Sequence, residues 1–354
     1  MTGVGAFELA TASRIVFGAG RARELAAIVG GRRTLLVTGR RGSPIAIDAA
    51  HHVRVEGEPT VDDARRAAAF TVPDVEIVVA IGGGSALDLG KAAAALIANG
   101  GDPLPYLEVI GQGQPLPRPS LPCICVPTTA GTGSEVTRNA VLGSPERGVK
   151  ASLRSPSMLP AVALVDPELT CDLPPALTAS TGLDALTQLV EPFVSSKANA
   201  FVDAICRDAI PRVIAALPRA FAGDRTARAE MAYASLCGGL ALANAGLGAA
   251  HGFAGPIGGR FPAPHGAICA VLLPHVVAIN RARTGDRKFE ELAAMTGDLA
   301  AFVAQFDLPP LSAYGLTSAD APALVAQAKQ ASSMKANPVT LSDADLTEIL
   351  SRAL

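Results

Sequence analysis

With 354 residues, 49% of them hydrophobic and 18% charged, the chain can build a large buried core and is not a disordered or low-complexity polymer. Lys+Arg total 30 against 32 Asp+Glu, aromatics make up 4%, and there is no Trp, so neither nucleic acid nor an anionic membrane surface is expected as a partner. The N-terminal MTGVGAFELATASR lacks a basic segment followed by an apolar core and reads as no signal peptide. No apolar run approaches the length of a membrane span, since Ala267 to Ile279 is interrupted by Pro274 and His275. The six cysteines form no CxxC pair, and a reduced, cytoplasmic setting is expected.

In chain order, Thr34 to Thr38 is a short apolar strand ending in Gly39-Arg40-Arg41-Gly42. His52 to Val55 is a second strand, with His51 and His52 at its junction, followed by a helix over Thr60 to Phe70. Val75 to Ile81 is a third strand closed by Gly82-Gly83-Gly84-Ser85, and the helix Ala86 to Ala98 stops at Asn99-Gly100-Gly101. Pro122 to Val126 is a fourth strand, in which Cys123 and Cys125 read as buried thiols at alternate positions. Strands interleaved with helices predict a parallel, doubly wound sheet. Near Asp166-Pro167 the pattern changes. Ala/Leu-rich stretches then predict helices over Ala179 to Val194, Ala198 to Ala216, Arg225 to Asn244, Lys288 to Phe306, Ser318 to Ala331 and Ser342 to Ala353. The expected organisation is an α/β domain over 1–168 and an all-α domain over 169–354.

Two loops follow strands. Gly82 to Ser85 allows close backbone approach to an anion, and the helix after it offers free N–H groups and a positive dipole end. Ser85 either caps that helix or meets a phosphate, and Asp88 and Lys91 lie one turn apart along it. The second loop, Pro127 to Thr137, is dense in hydroxyls and glycines. Two such loops at the carboxyl ends of strands in one open sheet point to a ligand site. Further on, Asp184 and Gln188 share a helix face, and His251 and His265 lie in a Gly-rich apolar stretch. A carboxylate with two imidazoles suits a divalent cation. His275 reads as structural.

Gly82-Gly-Gly-Ser-x-x-Asp88-x-x-Lys91, Pro127-Thr-Thr-x-Gly-Thr-Gly-Ser-Glu135, Asp166-Pro167-x-Leu169, Gly182-x-Asp184-Ala-Leu-Thr and Pro264-His265-Gly resemble, in that order, the iron-containing (group III) alcohol dehydrogenases. The resemblance runs from Ile15 to Pro338. It implies a dinucleotide-binding α/β domain with a parallel sheet, an all-α C-terminal domain, and a metal and active site in the cleft between them. Position by position it makes Gly82, Gly83, Gly84 and Ser85 pyrophosphate contacts, puts Asp88 near the nicotinamide, and lines the cofactor groove with Thr128, Thr129 and Thr132. Asp184, His251 and His265 fall on ligand positions for Fe²⁺ or Zn²⁺ and form the catalytic centre. Gln188 stands at a fourth ligand position that is usually His, and Gly255 where many members carry a His. The proton route is then open to ribose hydroxyls, Thr187 or water.

The first strand of this family usually ends in an Asp that binds the adenosine ribose. Here Gly39 removes that charge and Arg40 and Arg41 follow, which implies NADP(H) favoured over NAD(H). The resemblance implies hydride transfer to or from a small alcohol or aldehyde, and a homodimer. Two other readings stand beside it: a maleylacetate-reductase-like, metal-independent reductase of a carboxylated ketone, toward which Gly259-Arg260-Phe261 leans, and a non-catalytic nucleotide-binding protein.

Overall fold

A computed structural model describes residues 5–70 and 74–354. The chain divides into two compact units. One comprises Thr11–Thr129 and Gly133–Asp172; the other comprises Leu173–Leu354 with Met1–Ala10 and Ala130–Thr132.

The first unit is α/β. Its elements run β1 (Arg14–Phe17), α1 (Leu25–Val29), β2 (Thr34–Gly39), β3 (His51–Val55), α2 (Val61–Ala67), β4 (Ile77–Gly82), α3 (Gly84–Asn99), β5 (Cys123–Pro127), β6 (Asn139–Ser144), β7 (Val149–Arg154) and β8 (Val162–Val165). Six strands form a parallel sheet in the order β1-β8-β5-β4-β2-β3, and β6 and β7 form a separate antiparallel pair. The sheet is buried on both faces, as parallel sheets are. Along β4, Val78 and Ala80 enter one apolar cluster while Ile77, Val79 and Ile81 enter another. β2 leads outward to β3, whereas β4 leads the other way to β5. The order therefore reverses between the carboxyl ends of β2 and β4, the place where open α/β sheets bind ligands.

The short strand β8 and the β6–β7 pair escape a reading by apolar runs. β8 has four residues, and β6 and β7 are half-exposed. His51 and His52 are members of β3, with His51 half-buried and His52 exposed. His51 stacks on Phe70 with ring centroids 4.2 Å apart, and His52 Nε2 lies 2.8 Å from Thr38 Oγ1.

The second unit is helical: α4 (Pro175–Val194), α5 (Ala200–Phe221), α6 (Ala227–Ala245), α7 (Ala249–Arg260), α8 (His265–Thr284), α9 (Lys288–Thr296), α10 (Leu299–Ala304), α11 (Ala321–Gln330) and α12 (Asp343–Arg352). α4 is buried nearly all round and packs against α5, α6 and α8, as expected of a central helix. The helix expected over Lys288 to Phe306 is two helices, because Gly297 turns left-handed (φ 62°) between α9 and α10. α8 continues through Pro274. By length and composition α8 is long enough to cross a membrane, but half of its apolar window is buried, with Ile268, Leu272 and Val276 in one core cluster and Ala270 and Leu273 in another.

Candidate active site

In the α/β unit, three loops meet at the carboxyl ends of adjacent strands. Gly82 pairs with Pro127 and Thr38 with Ile81, so Gly39, Gly82 and Thr128 are neighbours. Gly82 has φ +156°, and a Cβ there would lie 2.7 Å from the Ala86 Cβ and 3.3 Å from the Gly39 nitrogen. Only glycine permits this approach. Gly83 is the N-cap of α3 and offers no side-chain cap, so the first N–H groups of a 16-residue helix face outward over half-exposed Gly83, Gly84 and Ser85. That is an anion-binding terminus. Thr129 flanks it: a Cβ on Gly83 would touch its side chain at 3.3 Å.

Asp88 and Lys91 are occupied within the fold. The buried Lys91 ammonium donates to the Ser134 carbonyl at 2.8 Å and to Thr137 Oγ1 at 2.9 Å, and lies 3.2 Å from Asp88. Asp88 accepts from the Ser134 hydroxyl and from the Val141 N–H at 2.9 Å. The pair fastens α3 to the loop after β5. Asp166, of the Asp-Pro-x-Leu motif, is likewise structural and accepts the N–H groups of Gly20, Ala22 and Glu168. Thr128 and Thr129 are half-exposed; Thr132 is half-buried and groups with the helical unit.

In the helical unit, α4, α7 and α8 bring Asp184, Gln188, His251 and His265 together. His251 Nε2 is 3.3 Å and His265 Nε2 3.9 Å from Asp184 Oδ1. Asp184 Oδ1, Gln188 Oε1 and His251 Nε2 are all buried with no hydrogen-bond partner. Such orphaned acceptors cost free energy unless a cation satisfies them. The donor set therefore fits a divalent ion of the zinc or iron kind.

Two residues beyond the sequence-based set complete the cluster. Glu191 is buried on α4, one turn beyond Gln188. It accepts the Ala250 N–H at the start of α7 (2.7 Å) and holds His251 Nδ1 at 2.7 Å. This fixes the Nδ1 proton and turns the Nε2 lone pair toward Asp184, as outer carboxylates do for metal-bound histidines. Its signal in the sequence is the spacing Asp184, Gln188, Glu191 along one helix face. The second is Cys269, whose Sγ lies 3.7 Å from His265 Nε2. Burial penalises a charged His251, yet Cys269, Asp184 and Glu191 around it outweigh burial and raise its pKa well above the usual imidazole value. The His265 side chain is 38% exposed while Asp184 and His251 are within 5%, so the cluster opens to solvent on the His265 side.

Thr187 is fully buried and donates to the Leu183 carbonyl at 2.8 Å, which removes it as a proton carrier. Space around Gly255 is open, with nothing within 4 Å of an added Cβ. Arg260 faces Asp320 at 3.9 Å and Phe261, so it is already engaged.

A six-stranded parallel sheet with an uncapped phosphate-type loop, joined in sequence to a helical unit with a His/carboxylate cluster, is the architecture of a nucleotide-binding enzyme class with a candidate metal site. The iron-containing alcohol dehydrogenase family model matches residues 12–167, and the C-terminal model of the same family matches 178–354. The chain belongs to the iron-containing alcohol dehydrogenase family. It is 36% identical over 317 residues to long-chain-alcohol dehydrogenase 1 of Geobacillus thermodenitrificans, covering 84% of this chain and 80% of that protein. Its fold matches the crystal structure of a 1,3-propanediol oxidoreductase with a TM-score of 0.88 at 31% identity, over 99% of this chain and 100% of the other. It also matches a sulfoacetaldehyde reductase from Bifidobacterium kashiwanohense, solved in complex with NAD⁺, with a TM-score of 0.86 at 30% identity over 99% of both chains.

Proposed function

We propose that the protein is an NADP(H)-preferring oxidoreductase of a small alcohol or aldehyde, assisted by a divalent ion at Asp184, His251 and His265, with Gln188 beside them. The observation that carries this is that Asp184 Oδ1 and His251 Nε2, both buried without a hydrogen-bond partner, lie 3.3 Å apart, with His265 Nε2 3.9 Å from the same carboxylate oxygen. When bound, the ion supplies a Lewis acid toward the substrate oxygen and the nicotinamide supplies hydride exchange. Asp184 brings the negative charge that makes a buried ion tolerable. Glu191 holds His251 in the tautomer that presents Nε2, and His265 borders the open side where a substrate oxygen has room. The uncapped start of α3 suits the pyrophosphate. Proton exchange falls to solvent or to cofactor hydroxyls, since Gly255 brings no titratable group and Thr187 is sealed.

Purified without added metal, the chain is expected to carry one divalent ion and to reduce members of an aldehyde panel with NADPH. His265→Ala is expected to lose both ion and turnover. Full activity in chelator-stripped protein would refute the role of the ion.

Cofactor preference is supported at the end of β2. Nothing lies within 4 Å of a Cβ added at Gly39, Arg40 and Arg41 are exposed, and the Arg54 guanidinium reaches within 3.6 Å of a Cβ added at Gly42. Three guanidiniums near this strand end, with glycine in place of a carboxylate at Gly39, favour a 2′-phosphate. One charge-assisted contact of roughly 1.5–3 kcal/mol corresponds to about ten- to a hundredfold in affinity. A higher kcat/KM with NADPH than with NADH is expected, and Gly39→Asp, which fits the open space, should reverse it. A native preference for NADH overturns this assignment.

A further inference from the structure

We propose that Cys269 is itself a ligand of the ion, so that the donor set is Asp184, His251, His265 and the Cys269 thiolate, with Gln188 outside it. This rests on the reading that the cluster holds a divalent ion at all.

The geometry comes first. One donor atom from each of these four residues lies within 4.8 Å of all the others. Cys269 follows His265 by four positions in α8, so both project from one helix face. A tetrahedral zinc ion with N and O donors at about 2.0–2.1 Å and sulfur at about 2.3 Å needs donors roughly 3.3–3.6 Å apart. The separations here are 3.3 Å (His251 Nε2 to Asp184), 3.9 Å (His265 Nε2 to Asp184) and 3.7 Å (Cys269 Sγ to His265 Nε2). These three separations need shifts of only a few tenths of an ångström, and the remaining pairs lie within 4.8 Å. Asp184 and His251 each contribute an orphaned buried atom to that point.

Gln188 is placed differently. Its amide oxygen lies toward α6, 3.5 Å from where a Gly238 Cβ would stand.

Softness points the same way. Coordination through sulfur takes the thiolate form, with the thiol proton expelled to water. A thiolate also favours zinc or cobalt over magnesium or manganese, which an amide oxygen does not.

The test uses the full chain, stripped with chelator and titrated with Co²⁺. The expected result is one cobalt per chain with a thiolate-to-cobalt charge-transfer band in the near ultraviolet. Cys269→Ser should abolish the band and weaken zinc binding on the order of a thousandfold, beyond the roughly ten- to hundredfold that loss of a hydrogen-bond partner of a ligand costs. Gln188→Ala should retain the band. One cobalt bound to the unmodified chain without the band overturns the assignment and leaves the metal reading intact, and this spectrum needs no variant to fold. A band that survives in Cys269→Ser also overturns it. A chain that binds no cobalt overturns both this inference and the metal reading.

Discussion

At the scale of single residues, Glu135 sets a measurable pH dependence apart from the metal cluster. Its carboxyl is 2% exposed, and burial pushes its pKa from 4.5 up to about 7, with Lys91 opposing. The folded protein therefore binds this proton more tightly than the unfolded chain. Stability contributed here is present below the unfolded value and falls as pH rises to about 7. The gap corresponds to about 3 kcal/mol. Glu135→Gln keeps the shape and removes the charge. Its advantage over the unmodified protein should be small at pH 5 and grow toward that figure at pH 8, read from urea unfolding at both values. An identical difference at the two pH values would remove Glu135 as the cause. The candidate metal site was legible to the extent that residue type announces chemistry: Asp184, His251 and His265 stand out as polar groups in apolar surroundings. Cys269 did not, because a cysteine in an apolar helix looks the same whether it packs or ligates. Only its position one turn beyond His265, with Sγ against that ring, separates the two.

At the scale of elements, α3 shows how packing positions a loop. Gly90 faces β4, and a Cβ there would stand 2.5 Å from the Ala80 Cβ and 3.6 Å from its Cα. Ala80 lies in a strand with neighbours on both sides, so it cannot yield as a long side chain would. Gly90→Ala gains about 1 kcal/mol in helix propensity but incurs roughly 1–3 kcal/mol of overpacking, so a net loss is expected. Because α3 carries Gly83 to Ser85 at its start, lifting it should raise the nicotinamide-cofactor KM as well as lower the melting temperature. An unchanged melting temperature with unchanged KM would show that α3 has room to move. Helices with continuous Ala/Leu periodicity were readable, as α4, α5 and α6 match their expected cores. α7 and α8 were not, because α7 is rich in Gly and α8 carries Pro274 in its interior. There tertiary packing in a shared apolar cluster, through Phe253, Ile257, Leu272 and Val276, overrides weak local propensity.

At the scale of the whole molecule, the two ends of the sheet differ. β3 is one edge, with His52 and Arg54 exposed along it, a pattern that discourages pairing with another strand. β1 is the other edge. Among the described residues it pairs with β8 alone, and Ile15 on it is 37% exposed, in the same N-terminal stretch of sequence as exposed Phe7 and Leu9. An edge with an exposed apolar residue is a template for a second copy of itself, and a twofold arrangement satisfies both copies with one surface. We propose that the protein is a homodimer joined along β1. Light scattering at micromolar concentration should give twice the 35.9 kDa chain mass. Ile15→Glu places like charges across the twofold and should shift the mass to that of one chain while the far-ultraviolet circular dichroism stays the same. A monomeric mass for the unmodified protein would exclude the dimer, and a dimer that survives Ile15→Glu would move the interface to another face.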